Sequence, residues 1–166
     1  MTRITEIVDK SARFSSCRRY RYELWRVWDP EKPYAMFIGL NPSTADETED
    51  DPTIRRCIRF ARDWGYGALC MANLFALRAT DPKVMLADPE PEGPDNDDTL
   101  RRLAGHACIV VAAWGAHGGH RKRDQWALVE IPNLYHLGMT QGGQPRHPLY
   151  LRADTRPQPM LDDVHG

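Results

Sequence analysis

From residue 20 onward the chain alternates. Tyr20, Tyr22, Leu24 and Trp28 fall on one face of an extended segment, with Arg19, Arg21 and Glu23 on the other. A period of two predicts a half-buried strand over 20–28. "DPEKP" (29–33) has the breakers of a turn. The apolar run 35–40 then predicts a buried strand, joined to the first as a hairpin. Asp51-Pro52 opens a helix, since Asp is a good cap and Pro loses nothing at the first helical position. Ile54, Cys57, Ile58 and Ala61 follow at the spacing of one buried helical face, with Arg55, Arg56, Arg59 and Arg62 outside and Gly65 as the stop. "ALCMANLF" (68–75) predicts the next buried strand. A long Pro- and Asp-rich loop follows over 76–95, of the kind that is usually functional or mobile. Beyond it the pattern predicts a helix over 97–106, a strand over 108–115, a helix over 121–130 and a short strand over 134–138. Residues 143–151 read as loop.

Strands that alternate with helices after an opening hairpin define an α/β class. The expected architecture is a three-layer α/β/α fold with a mainly parallel central sheet, preceded by an N-terminal β-hairpin. One domain over 1–166 accommodates it, with its core at about 19–152 and loose termini. In such sheets ligands bind beyond the carboxyl ends of the strands. The segments to inspect are therefore 39–45, 73–78 and 114–117.

Charge refines this picture. The formal net charge is −1, so no whole-surface basic field advertises nucleic acid. The distribution is uneven: Arg13, Arg18, Arg19, Arg21 and Arg26 crowd the start, whereas Asp46 to Asp51 and Asp95 to Asp98 are acidic. No apolar run approaches the ~20 residues of a membrane span, and no signal-like segment begins the chain, so a cytoplasmic protein is expected. Cys17, Cys57, Cys70 and Cys108 lack zinc-site spacing. Cys57, Cys70 and Cys108 sit in apolar contexts where free thiols pack as small hydrophobes.

Three stretches carry candidate chemistry. In "GLNPSTAD", Gly39 permits close backbone approach, Pro42 stiffens the turn, and Asn41 and Ser43 offer polar groups at the sheet's mouth. The carboxylates that follow suit a helix N-terminus. Asp46, Asp50 and Asp51 are also candidate magnesium ligands, provided their oxygens converge. In "MANLFALRATDP", Asn73 ends a strand with Phe75 close behind, a pair able to read and stack on a base. Arg78 in the same loop is suited to pairing with Asp81 or to a phosphate. In "QPRHPLYL", His147 stands between two rigidifying prolines, Pro145 and Pro148. His117 and His120 precede Arg121, Lys122 and Arg123, a phosphate contact or a solvated helix start.

In this order, "FIGLNPSTAD", "DPT", "NLFALRATDP", "WG" and "PRHPLYL" resemble an uncharacterised family of short bacterial and phage proteins, a domain of unknown function, over about residues 19–152. More distantly, the motifs are similar to those of the uracil-DNA glycosylase superfamily. That resemblance implies a glycosylase-like fold and N-glycosidic bond hydrolysis. Asn41 of Gly39-Leu40-Asn41-Pro42 would place the hydrolytic water, and Asn73 would read the base edge. Trp114 and Gly115 match a strand end that leads to the basic residues Arg121 and Arg123. His147 would stabilise the departing base. Two positions depart from that pattern. Asn41 stands where the most active members carry a carboxylate, and Leu149 stands where they often carry serine.

The resulting expectation is a nucleobase- or nucleotide-processing hydrolase that needs no cofactor, with a nucleobase, a nucleotide or single-stranded nucleic acid as partner and no membrane. Two alternatives stand beside it: a non-catalytic nucleic-acid or nucleotide binder, and a magnesium-dependent hydrolase using Asp46, Asp50 and Asp51. The pattern does not set an oligomeric state.

Overall fold

The computed structural model describes residues 6–160. Its strands are β1 (Asp9–Phe14), β2 (Arg21–Val27), β3 (Tyr34–Gly39), β4 (Ala68–Asn73), β5 (Ile109–Ala112), β6 (Leu134–His136) and β7 (Gln158–Pro159). The helices are α1 (Pro52–Asp63), α2 (Pro82–Ala87), α3 (Asn96–His106) and α4 (Arg123–Glu130). The strands form a single sheet of order β1-β2-β4-β3-β5-β6-β7. The β4–β3, β3–β5 and β5–β6 pairs are parallel, and the β1–β2, β2–β4 and β6–β7 pairs are antiparallel.

The sheet is therefore mixed, which corrects the expectation of a mainly parallel one. The hairpin expected between 20–28 and 35–40 does not form. β2 pairs instead with β1 and, across the sheet, with β4. The turn at 29–33 carries β3 past that neighbour, and β3 takes the central position between β4 and β5. A central strand is covered on both faces, in keeping with its continuous apolar run.

Two cores flank the sheet. Ile54, Cys57, Ile58, Phe60 and Ala61 of α1 pack on one face with Phe37, Leu69 and Val111. Leu100 and Leu103 of α3 and Ala127 of α4 pack on the other, with Met36, Ile38 and Val110. Asp51 caps α1 as expected, its Oδ1 accepting from the Ile54 N–H at 2.9 Å. Gly65 ends that helix at φ +92°. The expected long loop contains α2, capped by Asp81. The terminal helix expected over 121–130 begins as a 3-10 turn at Ala116–Lys122 and becomes α-helical at Arg123.

The alternation along β2 breaks at one place, and this matters for the site. The β1 register skips Tyr22, passing from Arg13–Glu23 to Phe14–Arg21. Such a bulge reverses which way the following side chains point. Tyr20 and Tyr22 join the α3/α4 core, whereas Leu24 and Trp28 join the α1 core. These residues do not share one face, and the strand is not half-buried: Arg21, Tyr22, Glu23 and Leu24 are all buried.

The expectation of loose termini falls partly on residues 1–5 and 161–166, outside the described residues. Within the described tail, β7 extends the sheet, and the Met160 N–H donates to the Leu134 carbonyl at 2.8 Å. All four cysteines are free; Cys57 and Cys70 are buried, and Cys108 is exposed rather than packed. Among the described residues no helix is long and apolar enough to cross a membrane.

Candidate functional site

A cleft of about 580 Å3 opens beyond the carboxyl ends of β3, β4 and β5, where parallel α/β sheets place ligands. Leu40, Ile54, Met71, Trp114 and Leu149 give it apolar walls. Arg21, Asn41, Ser43, Asp51, Asn73 and His147 supply its polar groups.

Each rim segment is held by identifiable bonds. After β3, Asn41 Nδ2 donates to the carbonyls of Ala79 (2.9 Å), Pro42 (3.2 Å) and Leu77 (3.4 Å). Ala79 N–H returns a bond to the Pro42 carbonyl at 2.9 Å. Asn41 therefore fastens the loop after β3 to the loop after β4 through Nδ2, and its Oδ1 accepts no hydrogen bond among the described residues. Gly39 has a specific steric cause. A Cβ there would come within 2.7 Å of Asn73 Oδ1 and 2.8 Å of the Met71 methyl, so the Asn73 amide occupies the space that a side chain would take. Asn73 is only 2% exposed, and its Nδ2 has no hydrogen-bond partner among the described residues.

The histidine loop is anchored by the end of β5. The Gly115 N–H donates to the Pro145 carbonyl at 2.9 Å, with Gly115 at φ +76°, a conformation that favours glycine. Trp114 Nε1 donates to Gln144 Oε1 at 2.9 Å. Gly118 lets the next turn lie on the indole, because any side chain at 118 would overlap the Trp114 ring. On the far side, Arg56 of α1 donates to the Leu151 carbonyl. Between these anchors His147 Nδ1 accepts from the Leu149 N–H at 3.2 Å. That bond places the proton of a neutral imidazole on Nε2. Surrounding protein atoms hold the His147 pKa below the ordinary histidine value, while Asp51 pulls it the other way.

Gly39, Asn41, Pro42, Ser43, Asn73, Trp114 and His147 thus line one cleft. Four candidates lie elsewhere. Phe75 is fully buried in the α3/α4 core, its ring 5.4 Å from that of His120. Arg78 stacks on Phe14 and donates to the Arg18 carbonyl. Arg121 pairs with Glu92 at 2.5 Å. Arg123 is buried, bonding the Leu74 carbonyl and pairing with Asp97 at 2.8 Å. These guanidiniums are engaged in holding the fold together. Neither Arg121 nor Arg123 lines the cleft, and Arg123 lies inward at the start of α4.

The acidic run does not converge either. Asp46 Oδ1 accepts the N–H groups of Thr48 and Glu49, Asp50 pairs with Arg26, and Asp51 caps α1. Among the described residues no group of three or more His, Cys, Asp or Glu is placed to hold a metal ion.

Two arginines of β2 were not among the candidates. Arg26, fully buried, pairs with Asp50 Oδ1 at 2.7 Å and donates to the carbonyls of Asp46 (2.6 Å), Trp25 (2.8 Å), Glu49 (3.1 Å) and Ser11 (3.5 Å). It is the peg around which the acidic loop winds. A signal for it was present: Arg26 shares its strand parity with Leu24 and Trp28. Arg21 lines the cleft and is 2% exposed. Its guanidinium makes one hydrogen bond among the described residues, from Nη1 to the Ala45 carbonyl at 3.0 Å, and its Nε has no partner. Burial lowers its pKa to about 10, with Asp51 the strongest opposing influence. No local pattern marks it, because the bulge at Tyr22 sets its direction.

Residues 21–149 match the model of a family described as a protein of unknown function (DUF1643). No curated protein and no solved structure matches the chain.

Proposed function

The chain belongs to the DUF1643 family of proteins of unknown function, and for this member we propose that the cleft binds a nucleobase-containing small molecule and hydrolyses its N-glycosidic bond. The observation that carries the reading is that two amides and an imidazole from three separate segments, Asn41, Asn73 and His147, line one cleft with apolar walls. A heterocycle suits such walls, and a buried amide with an unused donor suits its polar edge. The order of the motifs, similar to that of uracil-DNA glycosylases, adds to it.

In this reaction the C1′–N bond breaks and its electron pair leaves with the base. The water oxygen bonds to C1′, and a water proton ends on the base or in solvent. His147 donates its Nε2–H to a base oxygen as charge develops there. Its lowered pKa keeps the ring neutral near neutral pH, so it acts as a hydrogen-bond donor rather than as a cation. Asn41 Oδ1 and the Asp51 oxygen not used in capping orient the water. Asn73 pairs with the base edge, and Trp114 and Met71 flank it.

A second reading, binding without turnover, draws on Asn41. Its Nδ2 is committed to backbone carbonyls, and an amide is no base. One assay separates the two: release of free base from nucleosides, nucleotides and uracil-containing single strands. Hydrolysis predicts release that falls about 100-fold in His147→Ala and is similarly impaired in Asn73→Ala. Binding to wild type with no base released selects the second reading. Release unaffected by both substitutions removes the assignment.

A further inference from the structure

We infer that Arg21 is the receptor for a terminal anionic group of the ligand, a phosphate monoester of the nucleotide class, on the buried side of the cleft. The inference rests on the reading of the cleft as a nucleobase site and deepens it by naming the substrate class.

A guanidinium carries five N–H donors. Arg21 uses one of them in a hydrogen bond, its Nε is without a partner, and it forms no ion pair among the described residues. At 2% exposure, water cannot fully compensate it. A second unpartnered buried donor, Asn73 Nδ2, belongs to the same cleft. Unused donors together with a positive charge fit an acceptor-rich anion, and guanidinium matches phosphate oxygens bidentately. Burial lowers the Arg21 pKa only to about 10, so the charge remains at neutral pH.

The same geometry argues against a polyanion. A backbone phosphodiester carries chain on both sides and does not reach a group so deeply covered, whereas a terminal monoester does. Several exposed arginines that a strand could engage are already paired with carboxylates: Arg18 with Glu47, Arg19 with Asp88, Arg101 with Glu130, Arg102 with Glu23 and Arg121 with Glu92.

The test is calorimetric titration of the full chain with adenine, guanine, cytosine and uracil nucleoside monophosphates, the matching nucleosides, inorganic phosphate, and a single-stranded oligonucleotide without terminal phosphates. The expected result is a monophosphate that binds at least roughly tenfold tighter than its nucleoside, with Arg21→Met removing that difference while nucleoside binding persists. Arg21→Lys, which keeps the charge but not the fork, should retain part of the preference and covers the case in which the methionine variant does not fold. Equal affinity for nucleoside and monophosphate overturns the inference and leaves the nucleobase reading standing. Phosphate binding that depends on Arg21, without nucleoside binding, leaves the anion site and overturns the nucleobase reading. Tighter binding of the oligonucleotide overturns the terminal group, and no binding by any probe overturns both.

Discussion

Arg21 and Arg26 leave the same strand and are buried to nearly the same degree, yet their surroundings differ sharply. Arg26 meets a carboxylate and four carbonyls, and in doing so shapes the loop that carries Asp46 to Asp50. Arg21 meets one carbonyl, with Nε unpartnered and an open cleft beside it. Burying an ion costs several kcal/mol unless partners restore what water supplied. At Arg26 the fold restores it, and the gain is a rigid loop. At Arg21 it does not, and a position of that kind is best explained by something outside the chain completing the set. Identical chemistry on one strand is thus divided between architecture and recognition by what the neighbouring loops provide.

The comparison can be broken at either end. The largest effect expected is at Arg26→Met, which strands the Asp50 carboxylate and four carbonyls. A loss of about 3–5 kcal/mol of unfolding free energy is predicted by denaturant titration. A loss under ~1 kcal/mol would show that the acidic loop stands without its peg. Arg21→Met should cost much less, within about 1 kcal/mol and of either sign, because an apolar side chain replaces a poorly compensated charge. If it destabilises as much as Arg26→Met, Arg21 is architectural too.

The smallest effect concerns His147. Its folded pKa lies below the unfolded value, so the unfolded chain binds more protons between those two values. Stability is therefore intact above the unfolded pKa near 6.5 and declines as pH falls through the folded pKa. Wild type should lose stability relative to His147→Gln on acidification from neutral pH. Parallel pH profiles would contradict the lowered pKa of the His147 imidazole.

Much of the fold was legible locally. The cap and buried face of α1, the apolar runs of β3, β4 and β5, and the inward residues of α3 are periodic signals that neighbouring residues carry by themselves. Three features were not. β1, with sequence DKSARF, is an edge strand with mostly exposed side chains, so it shows no apolar alternation. The pairing of β2 with β4 rather than β3 is a long-range choice that no local pattern encodes. The bulge at Tyr22, which turns Arg21 toward the cleft, lies in the register of β2 with β1, itself a strand without an apolar pattern. At the site, residues immediately after strands were readable because topology puts strand ends at the cleft. Phe75 and Arg123 lie in the α3/α4 core and not in the cleft, because a residue's distance from a strand end does not say which side of the sheet it faces. The role of the acidic run became clear only once Arg26 was seen beneath it.

The central claim, that Arg21 is held open for a ligand while Arg26 is closed, is tested most directly by nuclear magnetic resonance of the two arginine Nε–H groups during titration with a nucleoside monophosphate. The account predicts a saturable change of the Arg21 signal with Arg26 unmoved. Saturable changes elsewhere in the cleft while the Arg21 signal stays fixed would contradict it.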